Sequence, residues 1–434
     1  MGRNPIIITI ITIIIQRKTT MKKTLLRNYA KTLALAGLHI KKGDTVLISA
    51  GLDQPEFVEM VVTECYKAGA ADVRVEWDHQ PLQKLNVKYK TLKNLSKVEA
   101  WEKAKLQHRV ETLPASLYLI SEDPDGLAGM DQKKHSKAIQ ARYPIIKPYR
   151  DEMENKYKWC VAAVPGKAWA KKMFPELRPS AAVEKLWEAI LYTVHITDGM
   201  GGEMRDGVEA WAHHDEDFKR RCEYLNSLGI ESLDLKASNG TDLHVGLLPE
   251  SRFCGGGEYT LGGEWFNANM PTEEVFTSPK KGDAEGIVYS SKPLSYRGQI
   301  IDKFWVKFEG GKAVDVGAEK NEALLREMIS MDEGAAYLGE VALVPFSSPI
   351  CQSGITFYET LFDENAACHL ALGAGYTNTV EGYENYTLEE LHEMGINDSM
   401  NHVDFMIGTE DLSVIANTKN GEKITLFRDG EWAI

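Results

Sequence analysis

The sequence predicts an α/β N-terminal domain built on a parallel sheet, followed by a strand-rich α+β C-terminal domain. Three observations carry that expectation. A strand, a helix and a second strand succeed one another between Thr45 and Trp77 at the spacing of a βαβ unit, which demands parallel pairing. Near Leu228–Ser232 the texture changes to alternating strands, an Asn-Gly turn and glycine-rich loops. The chain has 434 residues, and at roughly 100–200 residues per domain that length suits two. The expected division is an extension outside the fold at residues 1–20, a first domain at 21–228 and a second at 229–434.

The extension is set apart by its composition. Residues Ile6 to Ile15 read IIITIITIII, too short for a bilayer, which needs about 20 apolar residues. The run also lacks a small-residue cleavage site. Met21 then opens a more typical start, and no membrane partner is expected. Leu25 to Leu38 has helical spacing of apolar residues, and Lys42-Gly43-Asp44 is a turn. Thr45–Ser49 is a short buried strand. Pro55 opens a helix through Val58, Val61, Val62 and Cys65, which Gly69 ends. Asp72–Trp77 is the next β-branched strand, and Leu117–Ile120 and Cys160–Val164 are further candidates. Helices are expected over Ala181–Tyr192 and Val208–Leu228.

The first strand is followed by Ser49-Ala50-Gly51-Leu52-Asp53. Neither GxGxxG nor GxxxxGK[ST] is present, so the phosphate-cradling backbone of a nucleotide site is missing. This half reads as structural or substrate-gating. In the second half, Leu233–Val245 is a hairpin about Asn239-Gly240. Strands follow at Ile287–Tyr289, Phe304–Phe308 and Ala313–Val316, with a helix at Asn321–Met331.

A formal net charge of −13 argues against nucleic acid as a partner, since such proteins present basic surfaces. Six cysteines lie scattered with no CxxC pair, which reads as reduced thiols in a cytoplasmic protein.

Four segments of the second half place histidine and carboxylate in apolar surroundings. In Asn401–Gly408, read as a strand, His402 and Asp404 share a face. They form either a half-site for Zn²⁺, Co²⁺ or Mn²⁺ or a hydrogen-bonded surface pair. Glu340 opens the apolar strand Glu340–Pro345, at a metal or at a solvated strand end. Asp363–Gly373 reads as a helix with Asp363 as N-cap, carrying His369 either to a metal or into the core. Glu273 and Glu274 lie in extended chain on opposite sides, so at most one can serve a given site. Together the segments supply an ordinary ligand set for two divalent ions about 3.5–4 Å apart.

The segments Asn269–Thr277, Leu338–Pro345, Leu361–Gly373 and Asn401–Gly408 resemble those of the thermophilic-aminopeptidase family, the metallopeptidases of aminopeptidase T, PepS and AmpS type, and the resemblance runs from about Met21 to Ile434. It implies metal ligands at Glu274, Glu340, His369, His402 and Asp404, and an active-site tyrosine at Tyr376. It further implies two divalent ions per chain (Zn, Co, Mn or Mg), release of N-terminal residues from peptides with a free N-terminus, a C-terminal catalytic domain and a homodimer. Glu273, beside a ligand, points away and is a poor candidate for the general base. The cluster His213-His214-Asp215-Glu216 reads as a solvated helix face or dimer contact, and His244 as structural. Two competing functions share parts of this reading. One is a metal-dependent amidase or deacylase on non-peptide substrates; the other is a non-catalytic small-ligand-binding protein.

Overall fold

The computed structural model describes residues 22–297 and 299–434. The expected extension at residues 1–20 lies outside the described residues.

Strand β1 (Thr45–Gly51) buries Val46, Leu47, Ile48 and Ala50, as its run of Val, Leu and Ile requires. Helix α1 (Pro55–Ala68) starts on the proline and buries Phe57, Val58, Val61 and Cys65. It closes at Gly69, whose N–H donates to Tyr66 O at 3.1 Å with φ +113°. Strand β2 (Asp72–Asp78) pairs with β1, as do β3 (Ala115–Ile120) and, through it, β4 (Trp159–Ala163). All four are parallel. Helix α2 (Pro179–Thr193) covers this sheet, and the rings of Tyr29, Phe57 and Trp187 meet at 5.2–6.4 Å in its core. Helix α3 (Gly207–Ser227) is capped by Asp206, whose carboxylate accepts from the Val208 and Glu209 N–H groups.

Beyond α3 the chain turns antiparallel. The hairpin Ile230–Lys236 to Asp242–Leu247 lies inside a nine-stranded sheet that also includes Pro279–Tyr289 and Gln299–Glu309. A second, smaller antiparallel sheet packs on it through a shared core that contains Phe304, Phe405, Leu370 and Val341. This smaller sheet carries the chemistry discussed below.

One short run belongs to both halves. Asn269–Met270 (β5) pairs in parallel with β4, placing Met270 in the first core. After Pro271–Glu274, Val275–Thr277 (β6) pairs antiparallel with β7 (Leu338–Leu343) and places Val275 in the second core. The first core also takes Ile350, Phe357, Leu361 and Phe362 from the C-terminal half. There the Trp169 indole N–H donates to Phe357 O at 2.6 Å and its ring meets Phe362 at 5.8 Å.

The segment Asp363–Gly373 departs from the expected helix. Residues Thr360–Asp363 and Glu364–Ala366 form two short turns, and His369–Gly373 is strand β8. Asp363 caps no longer helix; its carboxylate accepts from Phe357 N at 2.7 Å. The physical reason is tertiary. All five residues of β8 are buried between β7 and β9 (His402–Met406), and two flanking ladders outweigh the modest helix preference of alanine and leucine.

Candidate metal centre

The smaller sheet runs β9-β8-β7-β6, then Cys254–Gly255. On β8, His369, Ala371 and Gly373 share one face by the two-residue period. Ala371 pairs with Glu340 of β7 on one side and with Asp404 of β9 on the other, and Gly373 pairs with His402. The central strand is therefore small where its neighbours carry acids and imidazole, and that leaves a basin between them. A register shift at Leu338–Glu340 admits Glu340 to it.

The five residues expected as ligands come together there. Glu274 Oε2 lies 3.1 Å from His369 Nε2, and His402 Nε2 lies 3.1 Å from both Glu340 Oε2 and Asp404 Oδ1. Ligand atoms of Glu274, Glu340 and His369 fall within 4.8 Å of one another, and so do those of Glu340, His402 and Asp404. Glu340 is common to both groups. All but His402 are buried. Each imidazole is anchored through Nδ1: His369 donates to Ala367 O at 3.2 Å and His402 to Ala374 O at 2.7 Å. A carbonyl can only accept, so both rings carry Nδ1–H and present Nε2 to the carboxylates.

Electrostatically the basin is overcrowded with acid. Burial, with help from Glu274 and Asp404, pushes Glu340 up to about 7 against the pull of its His402 hydrogen bond. Against the downward effect of burial, Glu274 and the other carboxylates raise His369 to about 9, and Asp404 and Glu340 raise His402 well above its usual range. Asp404 Oδ1 is buried with no well-formed hydrogen bond, its one polar neighbour being the His402 ring at 3.1 Å. That orphaned oxygen, the surplus of carboxylate and the pair of oriented imidazoles fit divalent cations.

Two features were not read from the sequence. Glu364 is buried and faces Asp404, Glu274 and Glu340; burial and those three charges push its pKa well above the ordinary carboxylate range. Its signal in the sequence is an acid five residues before His369, beside the Asp363 that reads as a helix cap. His214 is also not on a solvated face. It is half-buried, its Nε2 lies 2.8 Å from Thr272 O, and its ring sits 4.7 Å from that of His195. Glu273 faces this pair rather than the basin: the extended chain does turn it away from Glu274, and His195 Nε2 lies 3.0 Å from its Oε1. His244 pairs with Asp234 at 2.7 Å on the large sheet.

Tyr376 follows β8 through Ala374-Gly375. Its hydroxyl lies 3.2 Å from His402 Nε2, and it is 37 % exposed toward a cleft. The cleft has a volume of about 630 Å³ and is lined by both halves of the chain, with Arg109, Tyr157 and Trp159 opposite Glu274, Phe276 and Tyr376.

The profile of the family described as thermophilic metalloprotease (M29) matches residues 22–432. The chain belongs to that family. Among M29-type relatives it is 38% identical to aminopeptidase AmpS of Bacillus subtilis, covering 94% of this chain and 98% of that one. It is 34% identical to aminopeptidase T of Thermus aquaticus, with 94% and 98% covered. The solved structure of wild-type AmpT from Thermus thermophilus superposes with a TM-score of 0.85 at 35% identity, covering 95% of this chain and all of that one. The M29 fold thus accounts for both halves, the parallel sheet and the strand-rich part. No helix among the described residues is long and apolar enough to cross a membrane.

Proposed function

We propose that the chain is a metal-dependent aminopeptidase that removes N-terminal residues from peptides with a free N-terminus, using two divalent ions held by Glu274, Glu340, His369, His402 and Asp404. The observation that carries the two-ion reading is Glu340, a carboxylate common to two groups of ligand atoms. The mixed imidazole and carboxylate set favours zinc, cobalt or manganese over magnesium. When bound, such ions lower the pKa of water and polarise a carbonyl.

The chain's own groups do the rest. Tyr376 stays a phenol, because the desolvation of its hydroxyl beside His402 and the charges of Glu340 and Asp404 raise its pKa, while part of the ring faces the cleft. It therefore offers a hydrogen bond to the oxygen that gains charge as the peptide carbonyl becomes tetrahedral. Glu364 is the remaining carboxyl in the basin, a further ligand or the carrier of the nucleophile's proton, and Glu364→Gln separates the two: loss of one equivalent of metal marks a ligand, loss of kcat at full metal content a proton carrier. Arg109 and Trp159 of the N-terminal half line the cleft together with Glu274 and Tyr376, and this supports a path for the departing peptide between the two halves.

The deciding experiment combines elemental analysis with a panel of aminoacyl anilides and their N-blocked counterparts. At least two equivalents of metal and turnover of free-amine substrates alone are expected. Turnover of blocked substrates would convert the reading to a deacylase, and a protein free of metal and activity would end it. Six free cysteines, four of them buried, support a reducing, cytoplasmic setting. The homodimer that the sequence resemblance implies is read directly by light scattering.

A further inference from the structure

We propose that His195, His214 and Glu273 form a separate site for one zinc-type divalent ion, structural in role and distinct from the two-ion basin. Their ligand atoms lie within 4.8 Å of one another. They come from three segments: His195 just beyond the end of α2, His214 in the second turn of α3, and Glu273 in the run between β5 and β6. Two imidazoles and one carboxylate form a familiar zinc donor set with one open position.

The tautomer of His214 is already set. The Thr272 carbonyl, which can only accept, lies 2.8 Å from Nε2, so that nitrogen carries the proton and Nδ1 is left with the lone pair. Burial lowers the pKa of His214 and keeps the ring neutral, the form that binds metal. His195 Nε2 and Glu273 Oε1, 3.0 Å apart, stand at a separation that two ligands of one ion adopt with a small outward shift. Outer partners fix the rest. Glu273 N–H donates to Asn365 Oδ1 at 2.6 Å, Trp211 meets both imidazole rings edge-on at 5.9 and 5.1 Å, and Phe218 covers His214 at 4.7 Å. His195 holds this place with a left-handed backbone at φ +59°, an uncommon conformation away from glycine.

An entry path exists. A cavity of about 530 Å³ opens on the pair, with Glu209, His213 and Asp217 on its wall, and supplies water for the fourth position. Arg205 also lines it, and Arg221 acts electrostatically on His214 and Glu273. These two cations make the site weaker than the acid-rich basin. An ion here would tie α2 and α3 to the residue preceding Glu274, and so hold a basin carboxylate in place through the backbone.

The test uses full-length protein stripped with chelator and titrated with zinc chloride by calorimetry, with thermal unfolding followed in parallel. Wild type is expected to take up three equivalents. His195→Ala is expected to take up two, with affinity at the lost site falling at least about 100-fold. A Glu340→Ala/His402→Ala variant, if folded by circular dichroism, should retain one equivalent that His195→Ala abolishes. Wild type saturating at two equivalents, both unaffected by His195→Ala, would overturn the proposal. A single equivalent in wild type, lost in His195→Ala, would uphold this site and refute the two-ion basin instead.

Discussion

Replacing Gly373 by alanine tests how tightly the β8–β9 ladder sets the basin. Gly373 pairs with His402 across that ladder and adopts φ +117°. Its N–H donates to Tyr337 O at 2.8 Å, and its carbonyl accepts from Asn397 Nδ2 at 2.6 Å, so the peptide is pinned on both sides. A Cβ there would stand 2.7 Å from the carbonyl carbon of Asn401, overlap the carbonyl oxygen outright, and meet Asn401 Cβ at 3.1 Å. The backbone conformation alone costs a side chain about 1–2 kcal/mol. Pushing β9 aside adds about 1–3 kcal/mol, as other overpacked sites do. The total is about 2–5 kcal/mol, a large part of a typical stability of about 5–15 kcal/mol. Gly43→Ala is the matched control, since Gly43 has φ +98° with nothing within 4 Å of the added atom; only the conformational part, about 1–2 kcal/mol, should appear. Urea denaturation of the metal-free proteins measures both, and metal analysis follows the displacement of His402. Gly373→Ala with the midpoint of Gly43→Ala and full metal content would show that the turn into β9 yields freely, and the argument for a rigid basin would be wrong.

Other perturbations follow from the same geometry. Glu340→Gln keeps the shape of the shared carboxylate and removes its charge; both equivalents of basin metal should weaken together, with activity down more than about 100-fold, and loss of one ion alone would deny Glu340 the bridging place. Asp215 is pushed up to about 6 by burial, so the folded state binds more protons than the unfolded between about pH 4 and 6 and stability declines as pH rises through that window. Asp215→Asn should therefore gain about 3 kcal/mol above pH 7 and nothing near pH 4; an equal gain at both pH values in thermal or urea unfolding would contradict this. Trp169→Phe leaves the buried Phe357 carbonyl without its 2.6 Å donor and should cost about 1–3 kcal/mol, whereas an unchanged urea midpoint would show that water replaces the indole.

The parts of the fold that could be read from the sequence are those set by local pattern. The apolar period of Phe57, Val58, Val61 and Cys65 with Gly69 behind it specifies α1, and the alternation in Asn401–Gly408 places His402 and Asp404 on one face. Extended chain also separated Glu273 from Glu274. What escaped was decided at a distance. Ala366 to Gly373 suits a helix as well as a strand until β7 and β9 flank it. A two-residue strand such as β5 leaves no period to detect. Glu364 looks like an ordinary acid at a turn until three other carboxylates surround it, and His195, His214 and Glu273 have no common motif because three distant segments meet there.

The run from Asn269 to Thr277 makes each half of the molecule the other's missing tile. If the chain were cut at Leu228, the first half would carry a bare border along β4, with unpaired amides inviting aggregation. The second would lose the anchorage that aims Glu274. Exchanging one half between relatives must therefore carry this run and its docking groove together, and two such halves should evolve as one unit.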